Sequence, residues 1–298
     1  MSVSLRSILF VPGDSERKIE KSRTSNADAL VLDLEDSVAA ARKPLARELV
    51  AAQLKEASFR PGLALWVRIN PLSTPEALED LAAIVAARPA GILLPKADGP
   101  SDVRLLSHYL DVLEVREGIP QKGISVMPVA TETARAPFSL GDYPAASLER
   151  LFGITWGAED LSSAVGAAAN TDEDGRLSLT YRTVRSFTLL AAKASGVEAI
   201  DTVYPDFRDL EGLRRSCAAA NREGFTGRFA IHPDQVDAIN QAFSPTEAEI
   251  AFAERVVEAF AAAPDAGVVG VDGKMLDRPH LTQAQTLLAR RDAYAIQV

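Results

Sequence analysis

Short apolar runs alternate with longer segments of helical periodicity along most of the chain. Most of the runs are apolar at nearly every position, which is typical of parallel strands covered on both faces. We predict strands at Ser7–Val11, Ala29–Leu34, Leu63–Ile69, Gly91–Leu94, Ile124–Ala130, Leu151–Trp156, Glu198–Val203 and Arg228–Ile231. The segments between them predict helices, among them Pro75–Ala87, Asp102–Glu117, Leu179–Ser195 and Leu210–Glu223. The alternation predicts an α/β fold with a parallel sheet.

Eight such units favour a closed (β/α)8 TIM barrel over an open, doubly wound sheet. They occupy about 230 residues, and a typical barrel needs about 250. No G-x-G-x-x-G turn follows the first predicted strand, and no P-loop is present, so a dinucleotide site has no support. Because periodicity alone does not prove closure, the doubly wound sheet stays as the alternative architecture.

The chain continues beyond the eighth predicted strand for longer than a barrel requires. We assign residues 1–244 to the barrel and residues 245–298 to a C-terminal helical extension. Within the extension, Pro245–Ala263 has a helical pattern, and Pro264–Val298 is a tail rich in glycine and aspartate. Long appended segments are often functional. We expect this extension to form an oligomer contact or a lid over the catalytic face.

Composition narrows the class of protein. The 298 residues are 47% hydrophobic and 24% charged, as in one large globular domain, and their net charge is −9. This charge argues against a nucleic-acid partner but allows a local basic pocket for an anionic ligand. No apolar run reaches the roughly 20 residues of a membrane-spanning helix. With the single cysteine Cys217 and no export leader, we expect a cytoplasmic protein without a membrane partner.

The C-terminal ends of the predicted strands carry many polar residues, and catalytic side chains of barrels project from these ends. The polar residues at or just after these ends are Asp33, Glu35, Asp36, Arg68, Asn70, Lys96, Glu132, Glu159, Asp160 and His232. Any one of them alone is explained equally well by a structural ion pair. Charges from five successive strands on one rim would be costly unless a metal or a substrate neutralised them. We therefore predict the catalytic site at this rim.

Glu132 and Asp160 follow neighbouring strands and are the candidate metal ligands. The three histidines are scattered and the cysteine is single, which leaves hard oxygen ligands that select Mg2+ or Mn2+ over zinc. Two protein carboxylates would leave coordination positions for water and for a bidentate 2-oxo or 2-hydroxy acid. The alternative is that Asp160 caps the helix after the sixth strand.

Arg68 is the candidate anchor for a substrate carboxylate or a developing oxyanion, because its guanidinium is planar and permanently charged. Its structural alternative is an ion pair with Glu35 or Asp36, and the two roles are compatible. Lys96 could form a Schiff base, but a structural ion pair is the favoured interpretation, since a bound metal would already act as an electron sink.

Basic residues just beyond the first strand are a further candidate site. Arg17 and Lys18 could hold phosphates at the start of a helix, or they could belong to a solvated basic turn. His232 is a weaker candidate. His108 and Cys217 fall within predicted helices and are interpreted as surface or packing residues.

Eight short motifs together resemble those of the citrate lyase β-subunit family. They are RSILFVPG from Arg6, DLEDSV from Asp33, VRIN from Val67, LPK from Leu94, ETA from Glu132, GAEDL from Gly157, AIHP from Ala230 and GKMLD from Gly273. Each motif alone is weak, but their order and their spread from the first strand to the tail make the resemblance specific. This family is similar to a branch of the magnesium-dependent HpcH/HpaI aldolases, alongside malyl-CoA and citramalyl-CoA lyases.

The resemblance implies a (β/α)8 barrel that assembles as a homotrimer or a hexamer. It implies that Glu132 and Asp160 bind Mg2+ and that Arg68 binds the carboxylate or oxo group of the substrate. It also implies that Asp277 reaches the site from the tail of a neighbouring subunit and acts as the acid or base. Aldolases that act on pyruvate typically carry a histidine after the second strand, and residues 33–36 contain none. This difference favours the branch that handles thioesters.

We therefore expect a magnesium-dependent carbon–carbon lyase that converts a 3-hydroxyacyl thioester into an acetyl-type thioester and a 2-oxo acid, or the reverse. Asp277 would move the α-proton, while Glu35 and Asp36 would orient Arg68 and metal-bound water. Arg17 and Lys18 would contact the CoA thioester. The alternatives are a pyruvate-type aldolase without CoA, an acyl-CoA thioesterase, and a citrate lyase complex subunit that requires an acyl carrier protein.

Overall fold

Eight parallel strands form the first part of the computed structural model, which describes residues 5–56 and 62–295. The strands are β1 (Ser7–Pro12), β2 (Ala29–Asp33), β3 (Ala64–Arg68), β4 (Gly91–Leu94), β5 (Ser125–Pro128), β6 (Gly153–Ile154), β7 (Glu198–Asp201) and β8 (Gly227–Ala230). Their order in the sheet is β5-β4-β3-β2-β1-β8-β7-β6. Parallel bridges Val126–Leu151 and Val129–Thr155 join β5 to the segment that contains β6. The predicted (β/α)8 barrel is confirmed, and the doubly wound alternative is wrong.

Helices connect these strands as the periodicity predicts. They are α1 (Glu16–Ser22), α2 (Lys43–Lys55), α3 (Glu76–Ile84), α4 (Pro100–Glu117), α5 (Ala158–Val165), α6 (Leu179–Ala194), α7 (Leu210–Glu223) and α8 (Val236–Phe243). The helix predicted over Pro75–Ala87 is an α-helix only as far as Ile84, and its last residues, Val85–Ala87, form a 3-10 turn. Within the described residues, each helix is too short or too polar to cross a lipid bilayer.

The barrel interior is filled by apolar side chains from the strands. Its buried cluster comprises Leu5, Ile8, Ala29, Val31, Trp66, Leu93, Met127, Val129, Ile200 and Phe229. The Trp66 indole fits because Gly91 lies opposite: a Cβ at Gly91 would lie 2.3 Å from the ring. Alternate residues of a strand face the same side, so Asp33 and Arg68 continue the inward-facing rows of β2 and β3 above this core.

The described residues form two compact units, 5–242 and 243–295. The second unit contains α9 (Glu247–Ala262), β9 (Val268–Val271), β10 (Lys274–Asp277) and α10 (Arg278–Ala295). Its own core includes Val256, Phe260, Val269, Val271 and Leu276. A helix was predicted where α9 lies, but the hairpin and α10 were not predicted. The signal for the hairpin is Asp272-Gly273, whose positive φ angles of 49° and 75° suit a tight turn between antiparallel strands.

The predicted ranges include residues 1–4, 57–61 and 296–298, which lie outside the described residues. The predicted role of the extension as a lid or an oligomer contact stays a prediction.

Candidate active site at the C-terminal ends of the strands

Arg68 is held in one orientation at the end of β3. Its Nε donates to Asp33 Oδ1 at 2.7 Å, and its Nη2 donates to Asp33 Oδ2 at 2.8 Å. Its Nη1 lies 2.9 Å from Glu35 Oε2, and the guanidinium carbon lies 4.9 Å from the centre of the Phe10 ring. Burial would lower the pKa of Arg68, but the hydrogen bonds and charge of Asp33 outweigh this effect and raise it. The site therefore contains a permanent, immobilised positive charge.

Asp33 is buried at the end of β2, and both of its carboxylate oxygens accept hydrogen bonds. Besides Arg68, it accepts hydrogen bonds from the backbone N–H groups of Glu35 at 3.0 Å and Ser37 at 3.1 Å. Burial alone would raise the pKa of Asp33, but the hydrogen bonds and charge of Arg68 hold it below its ordinary value. Asp33 is thus an ionised structural partner of Arg68.

The predicted partners of Arg68 are corrected in part. Glu35 contacts Arg68 as expected, but Asp36 is exposed and its contact is with Lys96. Asp33 is the bidentate partner, because the register of β2 and β3 places Asp33 directly beside Arg68. Sequence reasoning noted Asp33 at the strand end but gave it no role. Asp33 and Arg68 each lie two residues after an inward-facing residue of their strand. This spacing could have indicated the pair.

Lys96 connects the acids of the rim. Its ammonium forms ion pairs with Glu35, with Asp36 at 3.4 Å and with Asp160 at 3.4 Å. Its backbone N–H donates to Glu132 Oε2 at 2.7 Å, in a turn where Lys96 has a positive φ of 49°. Burial would lower the pKa of Lys96, but the hydrogen bond and charge of Glu35 raise it. A protonated ion-pairing lysine matches the structural interpretation and not the Schiff-base alternative.

Glu132 carries a strongly perturbed carboxyl group. Burial raises its pKa to about 8, the Lys96 N–H opposes this shift, and the charges of Asp160 and Glu35 add to it. Gly157 leaves room for this side chain, because a Cβ there would lie 2.8 Å from Glu132 Cγ and 2.9 Å from Oε1. A buried, electrostatically crowded carboxylate beside a cradle of this kind suits a bound cation.

Asp160 lies in the first turn of α5 with its side chain 33% exposed. The N-cap of this helix is Gly157, so the alternative prediction that Asp160 caps the helix is wrong. Within the described residues, no group of three or more His, Cys, Asp and Glu side chains surrounds a possible metal position. Glu132 and Asp160, which both contact Lys96, are a two-carboxylate pair. Such a pair fits Mg2+, which keeps positions for water and substrate.

A cavity of about 330 Å³ opens between these residues. Its charged lining residues are Asp33, Arg68, Glu132, Glu159 and Asp160. Its neutral lining residues include Phe10, Val129, Thr155, Trp156, Thr202, Val203, Phe229 and Ile231. The cavity therefore offers charged groups for an anionic, metal-chelating part of a ligand and neutral groups for an uncharged part.

The other predicted site residues lie on α1, at the end of β10 and after β8. Arg17 and Lys18 are exposed on α1, and neither lines the cavity. Asp277 ends β10 in the second unit, where its exposed carboxylate contacts His280. His232 stacks on Phe207 with ring centres 4.8 Å apart.

Two further predictions concern helix residues: His108 is exposed on α4, and Cys217 is buried in α7. Both match the surface and packing interpretation.

Known proteins with similar sequences cover nearly the whole of this chain. A family model described as HpcH/HpaI aldolase/citrate lyase matches residues 6–233. A (3S)-malyl-CoA thioesterase of Cereibacter sphaeroides is 35% identical over 97% of this chain and 95% of the relative. The mitochondrial citramalyl-CoA lyase of Mus musculus is 34% identical over 96% of this chain and 86% of the relative. The crystal structure of CitE from Mycobacterium tuberculosis with magnesium, acetoacetate and coenzyme A has a TM-score of 0.77 and 32% identity, and covers 98% of this chain and 100% of that chain.

Proposed function

Because the chain belongs to the HpcH/HpaI aldolase/citrate lyase family, we propose that it is a magnesium-dependent carbon–carbon lyase acting on CoA thioesters. It cleaves a 3-hydroxyacyl-CoA, such as malyl-CoA or citramalyl-CoA, into an acetyl-type thioester and a 2-oxo acid, or joins the two. The observation that carries this proposal is the immobilised Arg68 beside the carboxylates Glu132 and Asp160 in one cavity. A cation and an arginine together suit the chelating end of a 2-oxo acid.

Magnesium held by Glu132 and Asp160 would polarise the carbonyl oxygen of the 2-oxo acid. The magnesium, acetoacetate and coenzyme A named for the CitE structure support this assignment. Arg68 binds the substrate carboxylate or the oxygen that gains charge, and its ion pairs hold it there before the substrate arrives. A preorganised charge costs no reorganisation during the reaction. Glu35 orients both Arg68 and Lys96, whereas Asp36 acts through Lys96 only.

Proton transfer requires a group that does not bind the metal, and we assign it to Asp277 of a neighbouring copy in a homotrimer or hexamer. Its carboxylate is exposed and lies in the GKMLD motif of the tail. Asp277→Asn should fold and bind Mg2+ yet lose roughly 10²–10⁴-fold in α-proton exchange of the acetyl-type thioester. Mixed oligomers of Asp277→Asn and Glu132→Ala should regain partial activity. Full exchange in Asp277→Asn contradicts the role, and verified hybrids without activity contradict action between subunits.

Arg17 and Lys18 are proposed to contact the phosphates of CoA, as two exposed cations on the first turn of α1. Replacing both with alanine should raise KM for a CoA thioester and leave KM for the matching pantetheine thioester unchanged. Replacing Lys21 of the same helix is the control, because its ammonium lies in the last turn. Equal changes for both thioesters would contradict a phosphate contact.

The lyase is tested by incubating the purified chain with malyl-CoA or citramalyl-CoA and Mg2+. A lyase releases a 2-oxo acid, detected as its phenylhydrazone, without releasing a thiol. A thioesterase is the second candidate, favoured by the 35% identical malyl-CoA thioesterase, and it releases free CoA thiol without a 2-oxo acid. Activity only after addition of an acyl carrier protein would identify a complex subunit. Condensation of pyruvate with an aldehyde without CoA would identify an aldolase.

A further inference from the structure

The hydroxyl group of Thr155 is buried without a hydrogen-bond partner. Thr155 is 1% exposed, and its Oγ1 contacts no donor or acceptor within the part of the chain that the structure describes. Its backbone is satisfied by Pro128 and Ala130 across the junction of β5 and β6. Thr188 is buried to the same degree, but its hydroxyl donates to Val184 O at 3.0 Å. An orphaned buried hydroxyl is unfavourable, so the Thr155 hydroxyl calls for an explanation.

The Thr155 side chain faces the barrel interior. It is bridged to Val129, which belongs to the buried cluster inside the barrel, and bridged neighbours of parallel strands face the same side. The next residue, Trp156, donates its Nε1 to Asp201 Oδ1 at 2.8 Å. Thr155 lines the cavity of about 330 Å³. A molecule bound in this cavity is therefore the available partner for its hydroxyl group.

We propose that Thr155 hydrogen-bonds the thioester carbonyl oxygen of the substrate, an inference that rests on the proposed lyase function. By the proposed function, the carboxylate and the 2-oxo oxygen of the substrate are bound by Arg68 and the metal. The thioester carbonyl is the remaining polar group next to the reacting bond, and it is uncharged in the ground state. A neutral hydroxyl matches this uncharged group, whereas another cation would compete with Arg68 for the carboxylate.

The same contact strengthens during the reaction. In cleavage, the base accepts the proton of the substrate hydroxyl, and the oxygen forms the carbonyl group of the 2-oxo acid. The carbon–carbon bond breaks, and its electron pair moves into an enolate whose negative charge lies on the thioester oxygen. Protonation of the α-carbon then gives the acetyl-type thioester. A donor at the thioester oxygen stabilises the enolate more than the substrate, which makes Thr155 a catalytic residue.

The test replaces Thr155 with valine, which keeps the shape and removes the hydroxyl. Thr155→Val should lower kcat for thioester cleavage about 10²–10³-fold, as the loss of one oxyanion donor does. Its Tm should be unchanged or higher, because the hydroxyl has no partner to lose. The inhibition constant of the free 2-oxo acid should stay the same, and Thr155→Ser should restore most of the turnover. Thr188→Val is the matched control, with a lower Tm and an unchanged kcat.

Each outcome bears on one proposal or both. Normal kcat in Thr155→Val, with wild-type protein that cleaves the thioester, overturns the role of Thr155 and leaves the lyase intact. An equal loss of 2-oxo acid affinity also overturns it, because the hydroxyl would then bind the other half of the substrate. If the wild-type protein cleaves no 3-hydroxyacyl thioester, the lyase proposal fails, and the assignment of Thr155 falls with it.

Discussion

Two buried arginine–carboxylate networks lie at opposite ends of the barrel. At the C-terminal ends of the strands, Arg68 is held by Asp33 and Glu35, and Lys96 connects Glu35 to Glu132. At the N-terminal ends, Arg150 donates to Glu114 Oε1 at 2.7 Å, to Asp111 Oδ1 at 2.6 Å and to the carbonyl oxygen of Ile124 at 2.9 Å. By ion-pair geometry alone, the two networks are equally good candidates for a functional site.

They differ in how completely their acids are satisfied. Burial would raise the pKa of Glu114, but the hydrogen bonds from Arg150 and from the N–H groups of Lys122 and Ile124 lower it. In the other network, Glu132 has its pKa raised to about 8, chiefly by burial. Arg68 lines a cavity that Arg150 does not reach. A buried ion pair is thus weak evidence for function, whereas a buried carboxyl group whose pKa is raised beside a cavity indicates a binding site.

The largest expected effects come from replacing the buried glutamate of each network with glutamine. Glu132→Gln should lower turnover by about 10³-fold, since metal contacts supply several kcal/mol of transition-state stabilisation. Glu114→Gln should lose about 3–5 kcal/mol of unfolding free energy but keep its turnover per folded molecule, because it removes the buried charged partner of Arg150 and leaves it the partly exposed Asp111. Kinetics, Mg2+ calorimetry and urea unfolding measure both variants. Unaltered Mg2+ binding in Glu132→Gln would contradict the assignment of Glu132 as a metal ligand.

A smaller pair of effects is expected from replacing each arginine with lysine. Arg68→Lys loses the bidentate fork and should lose about 10²-fold in turnover, as for a single missing oxyanion donor, with most of its stability retained. Arg150→Lys should lower Tm without changing KM for the 2-oxo acid. Steady-state kinetics and thermal unfolding separate the two. If Arg68→Lys turns over at the wild-type rate, then Arg68 is only a structural partner of Asp33 and Glu35.

Per pH unit, the smallest effect is the pH dependence of the unfolding free energy in metal-free protein. Glu132 has a folded pKa of about 8 against an ordinary value of 4.5, so the folded state binds the extra proton. The contribution of Glu132 to the free energy of unfolding should therefore fall as pH rises from 4.5 towards 8, by at most about 1.4 kcal/mol per pH unit. For Glu114 the pH dependence is reversed. Because its pKa is lowered in the folded state, its contribution to the free energy of unfolding falls as pH drops below 4.5.

Urea unfolding of the metal-free protein at several pH values measures these slopes. The slope above pH 4.5 should flatten in Glu132→Gln and with saturating Mg2+, and Glu114→Gln should keep it. A slope that Glu132→Gln leaves unchanged would show that another group titrates.

The barrel follows from the sequence because continuous apolar runs separated by amphipathic helices leave few alternatives to a parallel sheet. Its closure depends on hydrogen bonds between β5 and the short β6, whose two residues carry little pattern of their own. In the tail, Asp272-Gly273 is a signal for a hairpin turn. The strands on either side of it were not predicted, because the segment was interpreted as a tail rich in glycine and aspartate.

For the site, the sequence by itself determined the residue types and the end of the barrel at which they lie. Arg68, Glu132 and Asp160 each follow an apolar run, and parallel strands bring such positions to one end of a barrel. The tertiary structure decided the partners. Strand register sets Asp33 beside Arg68 although Glu35 lies just two residues away, and the bridge between Val129 and Thr155 turns the side chain of Thr155 inward. A one-residue shift of register reverses which side chains face the cavity, and register depends on contacts between strands that are distant along the chain.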